Sequence, residues 1–347
     1  MDPEFVEASG ADAGLWDSIV SRSPHGTIFH TWKWQKIVEK HTGSRFYPLI
    51  CRERDEPVGL LPIYFTKKFF MRMAFSPPPG TALNFLGPVL AGYESQEQAR
   101  REQVFVEFQK TLDRFLKENL KPGYVSISLP YGLPDPRPFI WAGYRVENSY
   151  DYMVDLRPGA DALWDQIGRK LRQNIARASS RGMTVEEGAR KELGIIHELM
   201  VERYREQGRQ VSVSLQYLND LYEHFRDNLK VLVVRYEGEV VTGMIDVISK
   251  DQVFSWIGNP RPRHPLSPSP NDLLTWEGIR NASGTGFTQY ITIGAAGNKR
   301  LHWYYASKFN PDLRVRYTVK RSTFIARLLE RTYSRFLESL TPRFQFR

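Results

Sequence analysis

The residues of this chain best suited to chemistry are cations and aromatic rings, most of them in its second half. Arg169 and Arg172 stand one helical turn apart with Arg177 further along, so their guanidiniums could grip a pyrophosphate or carboxylate in bidentate fashion. Trp303-Tyr304-Tyr305 could stack on a sugar or base, and Lys308 after them could hold a phosphate or stabilise a leaving group. Trp256, in the strand-like run Val253 to Gly258, could face a cleft. Asn271 follows a loop rich in proline and arginine and can cap the helix that begins near Asp272, a position where phosphates are also bound. Lys36, close behind Trp34, is the one such candidate in the first half. Each has a plainer reading beside it: a solvated helix face for the cations, a cap for Asn271, core packing for the aromatics.

Several chemistries lack their residues. No glycine-rich phosphate loop is present, since Gly284-Thr285-Gly286 has neither the spacing nor the continuation, and no serine sits in a nucleophile elbow. His197-Glu198 has no second histidine at zinc-binding spacing, and one cysteine cannot build a thiolate site. Metal, nicotinamide and serine-hydrolase chemistry are therefore unsupported. With no covalent nucleophile in view, direct transfer within a ternary complex is the default.

The elements that must position these residues read as one unit written twice. Leu15-Trp16-Asp17-Ser18-Ile19 returns as Leu163-Trp164-Asp165-Gln166-Ile167, each at the head of a helix. The apolar runs Leu49 to Arg52 and Val58 to Leu61, joined by Asp55-Glu56, read as a hairpin, and Leu232 to Ile245 repeats it around Glu237-Gly238. A helix from Gln98 to Leu120 stops near Gly123 and a strand follows. The helix Asp272 to Ala282 stops near Gly284 and does the same. The order helix, hairpin, helix, strand implies a duplicated mixed α/β unit. Its seam falls at Arg157-Pro158-Gly159, giving domains at 1–157 and 158–320. Apolar Leu163, Ile167, Leu171, Ile175 and Ala178 predict one helix from Ala160 to Arg181. A final segment, 321–347, reads as a basic amphipathic helix and tail, with Ile325, Leu329 and Tyr333 opposite Arg327, Arg331 and Arg335.

At 347 residues, 41% of them hydrophobic, the chain can fill two cores. Its 48 basic and 39 acidic residues leave +9, which favours an anionic partner: a phosphate-bearing substrate, tRNA or a membrane surface. The acidic, polar start Met1 to Phe5 lacks the signature of a leader, and lone Cys51 fits a reducing compartment. A cytoplasmic location is expected, with the inner face of the membrane within its range.

Leu163-Trp164 with Lys170-Leu171-Arg172-Gln173-Asn174-Ile175 resembles a stretch of FemAB-like proteins, and Gly286-Phe287, Ile291 to Gly294 and Ser307-Lys308-Phe309-Asn310 resemble their closing segment. Phe29 to Trp34 and Val58 to Tyr64 are similar to the family's entry into its first domain. The matches run from about residue 15 to 318. That family is built of two GNAT folds in tandem with a cleft between them. The resemblance implies transfer of an aminoacyl group from aminoacyl-tRNA, or an acyl group from acyl-CoA, to an amine of a peptidoglycan or other envelope precursor. No tightly bound cofactor or metal is implied. Lys308 becomes the first choice of catalytic residue, Arg172 lies on a marked position, and Tyr204 and Arg205 precede or join a loop resembling one of the family's, where they could line the acceptor cleft or pack in the core. The GNAT pyrophosphate signature is missing from both halves, and Thr292-Ile293-Gly294 stands where an acidic residue is common. A tandem GNAT-like binding protein without activity is the alternative reading.

Overall fold

The computed structural model describes residues 3–133, 135–294, 296–297 and 301–328. Along the chain come β1 (Glu4–Glu7), α1 (Ala13–Arg22), α2 (Trp32–Thr42), β2 (Arg45–Glu53), β3 (Glu56–Lys68), β4 (Met71–Ser76), β5 (Val89–Leu90), α3 (Gln98–Phe115), β6 (Tyr124–Ser128) and α4 (Arg137–Trp141). β7 (Arg145–Asp155) leads to α5 (Ala160–Gln166), α6 (Arg169–Ser180), β8 (Thr184–Glu187), α7 (Arg190–Glu206), α8 (Leu215–His224), β9 (Leu229–Tyr236), β10 (Glu239–Ser249), β11 (Gln252–Gly258), α9 (Pro270–Ser283), β12 (Gln289–Thr292), α10 (Leu301–Phe309) and β13 (Asp312–Ser322). Two compact units result: Met1–Ser149 with Arg316–Arg347, and Tyr150–Val315.

Both units repeat the order read from the sequence. In the first, β1-β2-β3-β4-β6-β13 are neighbours in that order, antiparallel except for β4 and β6, which pair in parallel from Met73↔Tyr124 to Ser76↔Ile127. In the second, β8-β9-β10-β11-β12-β7 follow the same plan, with β11 and β12 parallel from Gln252↔Gln289 to Ser255↔Thr292. A parallel pair needs a crossover, and each unit supplies it as the helix that ends at a glycine turn, α3 before Gly123 and α9 before Gly284. Each core forms under that helix: Leu61, Phe105, Phe108, Leu112 and Ile127 in the first unit, Val234, Met244, Leu274, Ile279 and Tyr290 in the second. The repeated tryptophans keep their helical places. Trp16 is fully buried with its indole N–H donating to His30 O at 2.7 Å, and Trp164 packs on Trp276 with ring centroids 4.9 Å apart. Cys51 is buried, and burial pushes its thiol up to about 12.

Three expectations change. The helix expected from Ala160 to Arg181 is two helices, because Ile167 and Gly168 turn extended (ψ 147° and 141°) and the Gly168 N–H leaves the ladder for Lys308 O at 3.4 Å. The units divide at 149/150 and 315/316 rather than at 157 and 320, because β13 leaves the second unit and pairs with β6 from Thr318↔Ser128 to Ser322↔Tyr124. Arg321 and Ser322 therefore end a strand, and a helical turn begins only at Phe324. The remainder of the expected terminal helix, 329–347, lies outside the described residues.

Beyond the last parallel pair of the first unit, the chain lays its own segment across the strand end. Leu86 N–H donates to Ser128 O at 3.2 Å, and fully buried Phe85 and Leu86 fill the space. Gly87 makes this possible: its φ is +28°, and a Cβ there would lie 2.8 Å from Ser128 O and 2.9 Å from Leu129 Cα, backbone atoms with no freedom to move aside. Gly87→Ala should destabilise the protein by about 1–3 kcal/mol, read as a lowered denaturant midpoint; an unchanged midpoint would contradict this placement.

Candidate functional site

β11 ends at Gly258, and the chain loops through Pro260 to Ser269 before returning as α9, with Ser269 as its N-cap residue and Pro270 at N1. Arg181, at the end of α6, donates to Ser267 O and ties this loop down. Arg263 is held by Glu202 through two bonds of 2.8 Å, with Glu198 at 3.2 Å. Asn271 does not cap the helix. Its amide donates back to Asn259 O (3.3 Å) and Pro260 O (3.4 Å), while Thr242 Oγ1 lies 2.9 Å from its Oδ1. The head of α9 is thus fastened to the carboxyl end of β11, the end at which ligands of open α/β sheets gather.

The next residue, Asp272, is 1% exposed. A carboxylate at that depth requires partners. Lys308 Nζ, from the last turn of α10, lies 2.5 Å from its Oδ1, and Asn174 Nδ2, from α6, lies 3.0 Å from Oδ2. The ammonium also sits 4.1 Å from the centroid of the Tyr304 ring, whose hydroxyl donates to Asn271 O at 3.0 Å. Lys308 remains 27% exposed, so one side of a fixed cation faces outward. Burial raises the Tyr304 phenol well above its ordinary pKa, keeping it a donor.

A second polar layer lies in the core beneath. Asp246 sits on β10 where its register with β11 shifts, and its Oδ2 accepts the Tyr290 hydroxyl at 3.0 Å while its Oδ1 has no hydrogen-bond partner among the described residues. Burial pushes its carboxyl up to about 7, with Tyr290 and Ser255 pulling it part of the way back. Gly278 on α9 permits this packing, since a Cβ there would come 2.8 Å from Tyr290 Oη and 3.3 Å from Asp246 Oδ2. Tyr305, pushed up to about 12 mainly by burial, lies 3.5 Å from Asn259 Nδ2 and links this layer to the loop above.

Of the residues singled out from the sequence, Lys308, Tyr304 and Asn271 therefore come together. Arg172 serves its own neighbourhood, where its Nη1 donates to Trp164 O and Asp165 O, both at 3.2 Å, and closes the carbonyl end of α5. Arg169 is exposed at the start of α6. Arg205 is exposed in the last turn of α7, and half-buried Tyr204 lies under Arg209, 5.0 Å from guanidinium to ring. Trp256 is 7% exposed and packs edge-on against Tyr217, a core position. Lys36 belongs to the first unit, where it pairs with Glu39. Asp272, Asn174, Asp246 and Tyr290 escape a reading of the sequence; the one available signal is Asp246, an acid inside the apolar run Gly243 to Ile248. Among the described residues no cluster of histidine, cysteine and carboxylate groups suited to a metal is found.

Residues 167–300 match the family model described as an acetyltransferase (GNAT) domain. No curated protein matches the chain by sequence. Among solved structures, FemX is similar over 90% of this chain and 96% of its own, with a TM-score of 0.66 and 13% identity. L-PGS from Bacillus licheniformis is similar over 96% and 98%, with a TM-score of 0.55 and 15% identity. A tandem GNAT protein from the clavulanic acid biosynthesis pathway covers 92% and 98%, at 0.54 and 12%. Residues 167–300, within the second unit, thus match a GNAT acetyltransferase domain, and the chain as a whole shares the fold of FemX and of that tandem GNAT protein.

The raised pKa of Asp246 makes a prediction with a definite sign. Between about pH 4 and pH 7 the native carboxyl keeps a proton that the unfolded chain has lost, so this group's contribution to stability falls as pH rises through that window. Asp246→Asn removes that loss. Its melting temperature relative to wild type should climb between about pH 4 and pH 7 and level off above, and a constant difference would show that Asp246 ionises normally.

Proposed function

We propose that this protein forms an amide by direct transfer of an acyl group to an amine, with the second unit handling the donor. The observation that carries this reading is the Lys308 ammonium, fixed by buried Asp272 and the Tyr304 ring beside the loop that leaves β11, yet open on one side. In the reaction the amine nitrogen bonds to the acyl carbon, the bond from that carbon to the donor's sulfur or oxygen breaks, and the proton lost by the amine balances the one gained by the leaving group. Negative charge passes through the carbonyl oxygen to the leaving group. A preorganised cation stabilises it without reorganisation cost. The same ammonium could hold a donor phosphate.

The GNAT match favours acyl-CoA as donor, and the resemblance to FemAB-like proteins keeps aminoacyl-tRNA beside it. The acceptor on this reading is an amine of a cell-envelope precursor, a peptide side chain or an amino sugar. The first unit supports a single donor site per chain, since the strand end corresponding to that of β11 and β12 is occupied by Leu86 and its neighbours.

The test is turnover with acetyl-CoA, longer acyl-CoAs and aminoacyl-tRNA, with acylated amines read by mass spectrometry. Lys308→Ala should lower kcat/KM by about 10²–10³-fold, with Lys308→Arg between it and wild type. Unpairing Asp272 also costs on the order of 3 kcal/mol of stability, so rates are compared below the variant's melting transition. Saturable donor binding with no turnover would defeat the proposal; an undiminished Lys308→Ala enzyme would defeat the assignment of Lys308.

A further inference from the structure

The hairpin joining β3 to β4 breaks the rules that hairpins of its kind follow. Lys68 pairs with Met71, leaving Phe69 and Phe70 as a two-residue loop. Phe69 has φ +53°, the left-handed conformation for which such loops use glycine or asparagine. Phe69 is 89% exposed and Phe70 71%. Behind them, Lys67 stands across from Arg72, a like-charge pair where opposite charges would stabilise. Turn chemistry, burial and cross-strand charge thus all oppose the local structure, a pattern expected where function dictates the residues.

The tip has company. Gly123 N–H donates to Arg72 O and Thr323 N–H to Gly123 O, both at 2.8 Å, so the start of β6 and the end of β13 lie beside the base of the hairpin. Thr323 opens the helical turn 324–328, where Phe324 is 80% exposed and Ile325 59%. One end of the first unit's sheet therefore carries two exposed apolar pairs. Lys67, Lys68 and Lys121 are exposed around them, with Arg327 on the helical turn and Glu118 as the exposed acid near Lys121.

We infer that this end of the first unit docks on an anionic phospholipid bilayer, the phenylalanines entering the interface and the lysines meeting the headgroups. An apolar tip set in a basic surround matches that surface in both layers. It does not match a second copy of the chain, whose basic residues would face these. The net charge of +9 acts in the same direction. Among the described residues no helix is long and apolar enough to cross a membrane, and the contact requires none.

The test is co-sedimentation of the full chain with phosphatidylglycerol–phosphatidylcholine vesicles and with phosphatidylcholine vesicles alone. Wild type should bind the anionic vesicles at least about tenfold more tightly. Phe69→Ser with Phe70→Ser, and separately Lys67→Glu with Lys68→Glu, should each weaken binding by about tenfold or more. Phe69→Gly separates docking from folding: it should raise the melting temperature by relieving the turn while weakening vesicle binding. Equal binding to both vesicle types, variants that bind like wild type, or concentration-dependent self-association abolished by the same substitutions would each overturn the inference. None of these outcomes depends on donor or turnover, so docking and catalysis fail separately.

Discussion

A carboxylate 1% exposed at the head of a helix cannot stand alone, and most of the second unit's chemistry follows from how Asp272 is satisfied. Asn174 brings α6 to it and Lys308 brings α10. The Gly168 N–H to Lys308 O contact closes the same triangle from the backbone, which is why the helix expected from Ala160 must break where it does. The arrangement fixes an ammonium in position while leaving part of it exposed. A lysine on a free helix end could not offer that, because four rotatable bonds would have to be ordered on binding. Tyr304 adds a face for the cation and a hydroxyl for the helix head, so the neighbouring residues on α9 and α10 support one another.

One architecture occurs twice, and the two copies treat the same strand end differently. In the second unit the loop leaving β11 is held in place by side chains: Asn271 on Asn259 and Pro260, Arg181 on Ser267, Arg263 on Glu202. In the first, the chain after β4 folds back and places Leu86 against Ser128, with Gly87 as the residue that lets backbone meet backbone. Duplication thus leaves one copy with a polar, partly exposed site and the other with an apolar plug. The first unit's unusual chemistry lies instead at its basic, aromatic hairpin.

The fold is legible in the sequence wherever local periodicity and punctuation suffice: the hairpins around Asp55 and Gly238, and the helices that stop near Gly123 and Gly284 before a strand. It is not legible where a contact joins distant segments. The return of β13 to β6 depends on pairing across almost 200 residues, and nothing in Asp312 to Ser322 names its neighbour. The break at Gly168 hides because Leu163, Ile167, Leu171 and Ile175 keep helical phase across it. In the site, Lys308 stands out through its motif and Tyr304 through its neighbours. Asp272 reads as an ordinary first-turn acid until Asn174, 98 residues away, is seen beside it. Arg172 is conspicuous through its motif, and the contacts it makes, to the carbonyls at the end of α5, have no signature in the sequence.

Hydrogen exchange with and without the donor that turns over tests the central claim most directly, because it reports both units at once. Slowed exchange is expected in Asn259 to Trp276 and Leu301 to Phe309, with Ala82 to Ala91 unchanged. Protection centred on Ala82 to Ala91, with α9 and α10 unaffected, would place the donor in the other unit and contradict that claim.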